Sequence, residues 1–448
     1  MKNFKKGFIR LLKNSLALLF LLISFAGMSQ SNASDSVLKE VTLEKAVEYA
    51  LRHQPVIQQS LIDEQITETR IKSKLAEWYP QVNFNYNYQH NFVLQKTLIG
   101  GNLVQLGQNN TSAAQFSASQ YIFNRDLLLA RRTKADVRLQ SQQFTTANKI
   151  DLVVNISKAY YDILSTDQQI RIASENITRI ERSLKDAFNQ FTAGISDKTD
   201  YKRATITLNN SKATLHSNLA LLKAKKEYLK ALMNYPEADS LNIVYDSLQM
   251  EKEISLDTTI LPDYRSRIEY RQLETQSKLL QANIRYNKWA YLPTFSANGA
   301  YNFNFQSNDF PKLYNTNYPN SFAALTLGFP IFQGGKRKQD IHQAELELKR
   351  NDLDITALKN NVNAAYSQAI AMYKSNLESY LALKENVGLA KEVYDVIELQ
   401  YRSGIKTYLE VITSETDLRT AQINYYTAIY QLLASKLDVM KALGEVKY

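Results

Sequence analysis

Side chains suited to covalent chemistry are sparse in this chain of 448 residues. Cysteine is absent, which excludes a thiolate metal site, a cysteine nucleophile, a disulfide framework and an N-terminal lipid acceptor. The four histidines, His53, His90, His216 and His342, stand far apart with no ligand spacing. No G-x-S-x-G, phosphate-loop or H-E-x-x-H pattern occurs. Carboxylates are abundant, but they fall along helix-like stretches whose surfaces need them for solubility. Six methionines, four histidines and no cysteine also argue against a relay of soft metal ions. These residues predict no enzyme, no cofactor and no resident metal.

The informative chemistry lies instead in the patterning of long elements. Only 13 Gly and 8 Pro occur, against 28 Tyr. Residues 108–193 and 336–387 contain neither Gly nor Pro, which predicts long helices over about 124–190 and 334–402. At ~1.5 Å per residue each reaches roughly 100 Å. Ile170, Ala173, Ile177, Ile180, Leu184, Ala187 and Phe191 repeat at steps of three and four. Ile341, Ala344, Leu348, Ile355, Leu358, Val362, Ala365, Ala369 and Met372 do the same. A sustained seven-residue period is a coiled-coil seam. The stripe is narrower than a globular helix carries, and suits a wall one helix thick with water on both sides.

Charge and hydropathy narrow the setting. Net charge is +10, but the first 34 residues hold five cations and no acid, so the rest carries +5. That is no nucleic-acid footprint. Lys2 to Lys13 is followed by the short apolar run Leu16–Ala26 and then small residues. This reads as a signal peptide over 1–30, with cleavage at about 29–33. No apolar run of transmembrane-helix length follows it.

Three landmarks repeat in one order. Pro80 and Pro293, Phe123 and Phe332, and Gly194 and Gly404 stand 213, 209 and 210 residues apart. The chain is therefore two copies of one unit. The first covers 31–233, with strands at about 81–93 and 112–123, the long helix, a turn at 191–196 and a return helix to 233. The second covers 264–448, with strands at about 294–305 and 321–332, the long helix, a turn at 403–406 and a return helix to about 443. Residues 234–263 form a linker. Pro80 and Pro293 are the strand entries.

Val82, Phe84, Tyr86 and Tyr88 alternate with Asn83, Asn85, Asn87 and Gln89. Phe295, Ala297, Tyr301, Phe303 and Phe305 alternate with Ser296, Asn298, Asn302 and Asn304. An uncharged polar face opposite an aromatic-rich face is the texture of an outer-membrane strand, and the aromatic excess belongs partly to interfacial girdles. Four strands cannot close a membrane barrel, so several chains must share one. Loops at 94–111 and 306–320 then lie outside the cell.

With Thr42-Leu-Glu-Lys-Ala46, Tyr79-Pro80, Leu292-Pro293, Phe329-Pro-Ile-Phe-Gln-Gly-Gly335, Gly194 and Gly404, the mature chain resembles the TolC-type outer-membrane efflux family. The resemblance implies a mostly α protein with membrane β: a trimeric 12-strand barrel continued by a long periplasmic helical coiled-coil barrel. It implies the outer membrane of a Gram-negative bacterium, a homotrimer, a periplasmic adaptor protein, an inner-membrane RND or ABC pump, outer-membrane lipid and no nucleic acid. Gly194 and Gly404 map to adaptor-docking tips. Glu410 and Asp200 map to a periplasmic gate, although Thr413 stands where the family often has a second acid. The function implied is a passive export conduit. A surface adhesive coiled coil and a soluble periplasmic binding protein are the competing classes.

Overall fold

The computed structural model describes residues 38, 40–245 and 253–448, so the signal-peptide segment and the centre of the linker lie outside the described residues. The unit Val41–Tyr448 holds every described helix and strand. In chain order it contains α1 (Leu43–His53), α2 (Pro55–Ala76), β1 (Gln81–His90), β2 (Lys96–Ile99), β3 (Asn102–Gln105) and β4 (Asn110–Phe123). Then come α3 (Arg125–Thr192), α4 (Lys198–Met233), α5 (Ile268–Lys288), β5 (Thr294–Ser307), β6 (Asn320–Gly328), α6 (Lys336–Arg402) and α7 (Tyr408–Leu443). Among the described residues no helix is long and apolar enough to cross a membrane.

The long helices hold 68 and 67 residues. In the half nearer the sheet, α2, α3, α5 and α6 lie side by side; in the other half the order is α4, α3, α7, α6. The seam is thin. Buried positions on α6 recur every seven residues at Arg337, Ala344 and Asn351, again at Val362 and Ala369, and again at Tyr373 and Tyr380. On α3, Ala173, Ile180 and Ala187 follow the same interval. Met372, expected in the seam, is 55% exposed, and its neighbour Tyr373 is buried instead. Many tyrosines thus serve helix packing rather than a membrane girdle.

At mid-length the wall thickens. Residues 152–154 and 159–161 of α3 are buried on consecutive positions, because α1, α4, α7 and the connector enclose that stretch. Val41 bridges Ile243 in parallel. Tyr160 Oη donates to the Val244 carbonyl at 2.8 Å, and Tyr373 Oη donates to the Ile254 carbonyl at 2.8 Å. The two tyrosines occupy equivalent places in the two repeats and pin the connector from either side. Helix α5 starts only at Ile268, so the connection runs on to Arg267, four residues beyond the expected end of the linker.

The four long strands form one antiparallel sheet in the order β1-β4-β5-β6. Register puts Phe84, Phe116 and Tyr301 in one row, and Asn85, Gln115, Asn302 and Asn320 in the next. Alternation therefore yields an apolar face and an uncharged amide face. Asn302 Nδ2 donates to Asn320 Oδ1 at 2.6 Å within the amide row. Two strands end earlier than expected. The first stops at His90, not 93, where Asn91 turns to bond residues 108 and 109. The last stops at Gly328, not 332, because Pro330 lacks an N–H and Gly334 and Gly335 take positive φ. The 94–111 loop contains the β2–β3 hairpin, turned by Gly100-Gly101 at φ +60° and +85°.

Gly444 ends α7 at φ +77°, and a Cβ there would lie 2.7 Å from Ser266 Oγ and 2.9 Å from the Ser266 carbonyl carbon. Gly388, inside α6, faces open space. Gly444→Ala should destabilise by at least ~1–2 kcal/mol, the cost of left-handed backbone. Gly388→Ala should stabilise by up to about 1 kcal/mol through helix propensity. Helical circular dichroism during thermal unfolding in detergent measures both; an unchanged melting temperature for Gly444→Ala would refute the close approach.

Candidate functional site

The two helical tips are built alike. α3 closes with Gly194 at φ +72°, and the Ile195 N–H reaches the Gln190 carbonyl at 2.9 Å. α6 closes with Gly404 at φ +75°, and the Ile405 N–H reaches the Gln400 carbonyl at 2.9 Å. Each is a six-to-one closure around a left-handed glycine, the usual way to satisfy orphan carbonyls at a helix end. Both glycines have open space around them, and Ile195 and Ile405 are 77% and 72% exposed. Each turn thus offers an apolar side chain beside a bare backbone.

The return helices start with matched caps. Asp197 accepts from the Thr199 N–H at 2.8 Å at the head of α4. Thr407 and Glu410 form a reciprocal capping box at the head of α7. Asp200 and Glu410 therefore occupy the same third helical position in the two repeats. Glu410 Oε2 accepts from the Thr407 N–H at 2.9 Å, and Oε1 accepts from Lys406 Nζ at 2.6 Å. Lys406 and the Thr407 groups hold this carboxyl down at about 2. It stays ionised across the physiological range. Its capping contribution is present above the ordinary carboxylate value and is lost only as pH falls toward 2. Half-buried Asp200 lies close enough to Tyr401 and Tyr408 to help raise both phenols, after burial itself. Among the described residues no hydrogen bond or ion pair joins Asp200 to Glu410.

The two tips are tied together by groups that sequence reasoning did not single out. Tyr401 Oη donates to Gln190 Oε1 at 3.2 Å. Arg179 on α3 pairs with Glu415 on α7 at 3.3 Å, and the Glu415 side chain is only 6% exposed. Burial pushes the Glu415 carboxyl up, opposed by Arg179. Burial also pushes the adjacent Tyr394 up to about 12. The signal was present: Tyr408, Val411, Glu415 and Leu418 keep the three-and-four stepping, so one seam position carries a charge.

At the other end, Pro80 precedes β1 and Pro293 precedes β5. Leu292 is already extended, as a residue before proline prefers. The six residues singled out from sequence thus divide into a tip group and a strand-foot group at opposite ends of the long helices. No cluster of His, Asp or Glu among the described residues could hold a metal.

Removing Arg179 strands a buried carboxylate. Arg179→Ala should lower stability by about 3–5 kcal/mol if Glu415 stays charged, less if it takes up a proton. Glu415→Gln should remove the burial penalty. Because the folded pKa is raised, that penalty grows as pH climbs from the ordinary carboxylate value through the raised one. Thermal unfolding at pH 5 and pH 7 should therefore differ less for Glu415→Gln than for the native chain. An equal difference would show that Glu415 does not titrate there.

The family model described as outer membrane efflux protein matches residues 46–235 and 267–445, one segment in each repeat. The outer membrane protein TolC of Escherichia coli (strain K12) is 22% identical over 93% of this chain and 85% of its own length. Among solved structures, CusC superposes with a TM-score of 0.74 at 17% identity, covering 93% of this chain and 95% of its own. The open state of the MtrE outer membrane channel of Neisseria gonorrhoeae gives a TM-score of 0.71 at 19% identity, covering 90% and 88%. Sheet order, duplicated long helices and a match through both repeats agree: the chain belongs to the outer membrane efflux protein family.

Proposed function

We propose that the protein is the outer-membrane conduit of a tripartite efflux or type I secretion assembly, receiving cargo from a periplasmic adaptor and an inner-membrane RND or ABC pump. The observation that carries this is the open sheet. Its apolar face is exposed throughout β1, with Val82, Phe84, Tyr86 and Tyr88 at 70%, 57%, 56% and 41%. Its edges, β1 and β6, lack a neighbouring strand among the described residues. Hydrocarbon tolerates such a face but not such edges. Three copies joining β6 to β1 would give twelve strands, wide enough for a passage lined by the amide face. The helices then form the periplasmic tube, roughly 100 Å long.

Within this reading Gly194-Ile195 and Gly404-Ile405 are the adaptor-docking turns, and Pro80 and Pro293 set the strand entries. Glu410 and Asp200 are the gate carboxylates, with a division of labour. The charge of Glu410 is shared with Lys406 at 2.6 Å, whereas Asp200 makes no ion pair among the described residues. Asp200 therefore contributes more of the field at the constriction. The chain acts as a passage and carries out no reaction on its cargo.

The mature protein should purify from outer membranes in detergent as a trimer and conduct in planar bilayers. Glu410→Ala should weaken cation preference, and Asp200→Asn should weaken it further, as expected for carboxylates at a pore constriction. Replacing Gly194 or Gly404 with Trp should stop efflux while leaving trimers in the membrane. A monodisperse folded monomer would overturn the conduit. Unchanged selectivity in both acid variants would place the constriction elsewhere.

A further inference from the structure

The charge of this chain is not spread evenly. Four eleven-residue stretches flank the strand feet: 70–80, 124–134, 283–293 and, five residues past the end of β6, 334–344. They hold twelve Lys and Arg against three carboxylates, Glu77, Asp126 and Asp340, a balance of +9. Residues 35–448 carry +5 altogether, so everything outside these four short stretches sums to −4. A surplus this localised, in a protein otherwise mildly acidic, marks a surface for an anionic partner.

Its position narrows the partner. Just above the cations, where the sheet begins, an exposed apolar collar continues the apolar face: Tyr79 71%, Tyr291 51%, Phe329 58%, Ile331 88% and Phe332 87%. Both tryptophans of the chain, Trp78 and Trp289, sit at the same level. Apolar side chains, then amphipathic aromatics, then cations is the order of groups met on leaving a bilayer core. Long cationic side chains there can keep their stems with the apolar collar and their heads among phosphates.

The cations fall into two sets. Three arginines are fixed on aromatic rings: Arg125 lies 4.4 Å from the Tyr286 ring centre, Arg132 4.9 Å from Trp289 and Arg337 5.0 Å from Tyr291. Arg337 also donates to Gln333 Oε1 at 3.0 Å and to the Pro330 carbonyl. A second set, including Lys72, Arg131, Lys134, Lys288 and Lys338, is exposed and makes no ion pair among the described residues. Among the described residues of these stretches only Lys74 and Lys336 spend their charge on local carboxylates, Glu77 and Asp340. Arg125 and Lys336 also border a polar niche of about 310 Å³ that Asn283, Asn287 and the carboxylates Asp340 and Glu347 line as well. A set held on rings and an exposed set without ion pairs suit a fluid layer of headgroups better than one tightly held ion.

We infer that this basic and aromatic collar selects anionic phospholipid in the periplasmic leaflet, gathering phosphatidylglycerol-type headgroups around the foot of the sheet. The inference rests on the proposed outer-membrane placement. Zwitterionic headgroups cancel their own phosphate charge, so a net anionic lipid gains most from the +9 balance. Basic residues beside an anionic membrane surface each add to the attraction, which falls off within a Debye length.

The two tryptophans provide the readout. The native trimer is reconstituted in phosphatidylcholine vesicles containing about one-third phosphatidylglycerol, with bromine carried on the acyl chains of one lipid class or the other. Per mole of brominated lipid, brominated phosphatidylglycerol should quench tryptophan fluorescence about twofold or more better than brominated phosphatidylcholine, and high salt should shrink that ratio. The variant Arg131→Gln/Lys134→Gln/Lys288→Gln/Lys338→Gln touches only exposed cations without ion-pair partners. It should bring the ratio to one while keeping quenching by phosphatidylcholine. Equal quenching by both lipids in the native trimer would overturn lipid selection and leave the membrane placement intact. A native ratio that persists in the variant would overturn the assignment to these cations. Absence of quenching by either lipid would instead sink the membrane placement itself.

Discussion

An unpaired strand edge in hydrocarbon leaves backbone N–H and C=O groups without partners, and each costs several kcal/mol. That constraint organises this molecule. The sheet has four strands, two from each repeat, and ends in β1 and β6. Apart from one end, where Phe310 and Tyr314 pack on Tyr88, Tyr86 and Phe305, its apolar face has no cover among the described residues, so the sheet gains by sitting in lipid and loses by sitting there alone. The amide rows on the other face, such as Asn85, Gln115, Asn302 and Asn320, need water or one another. Both faces and both edges are satisfied when copies close around a wet lumen.

The helices answer a different demand with the same economy. A tube wall wet on both sides has no room for a thick core, so its seams are narrow and their few buried positions are strongly specified. Small residues such as Ala344, Val362 and Ala369 permit close approach, and tyrosines such as Tyr373 and Tyr380 fill wider gaps while keeping a hydroxyl for a partner. Tyr160 and Tyr373 use that hydroxyl on the connector. Toward the tips, a pair of Arg179 with the buried Glu415 replaces part of the apolar seam.

Much of this was legible in the residue order because it is periodic. The Gly- and Pro-free stretches announced the long helices, the alternation announced β1 and β5, and repeated Pro and Gly landmarks announced two equivalent halves. What escaped depends on contacts between distant segments. Nothing local distinguishes Met372 from Tyr373 as the inward residue; supercoil phase decides it. The β2–β3 hairpin did have a local signal, Gly100-Gly101 between short apolar runs, but a loop was the simpler reading. Asp200 and Glu410 look alike in sequence, and only the structure separates a carboxylate bound to Lys406 from one without an ion pair. Glu415 was hidden for the opposite reason: a charged residue on a stripe is usually read as a surface residue.

The strand pairing also sets a timetable. β1 and β4 pair across a single loop, and so do β5 and β6. The central pairing, β4 with β5, joins residues such as Phe116 and Tyr301, 185 positions apart. Two hairpins can therefore form early and separately, but the sheet must wait until the second half of the polypeptide has emerged. During that interval β4 and β5 are bare edges, a hazard for mispairing that lengthens with the delay. Strands of only 9 to 14 residues, broken up by asparagine, keep each waiting hairpin polar enough to travel before it finds its mate.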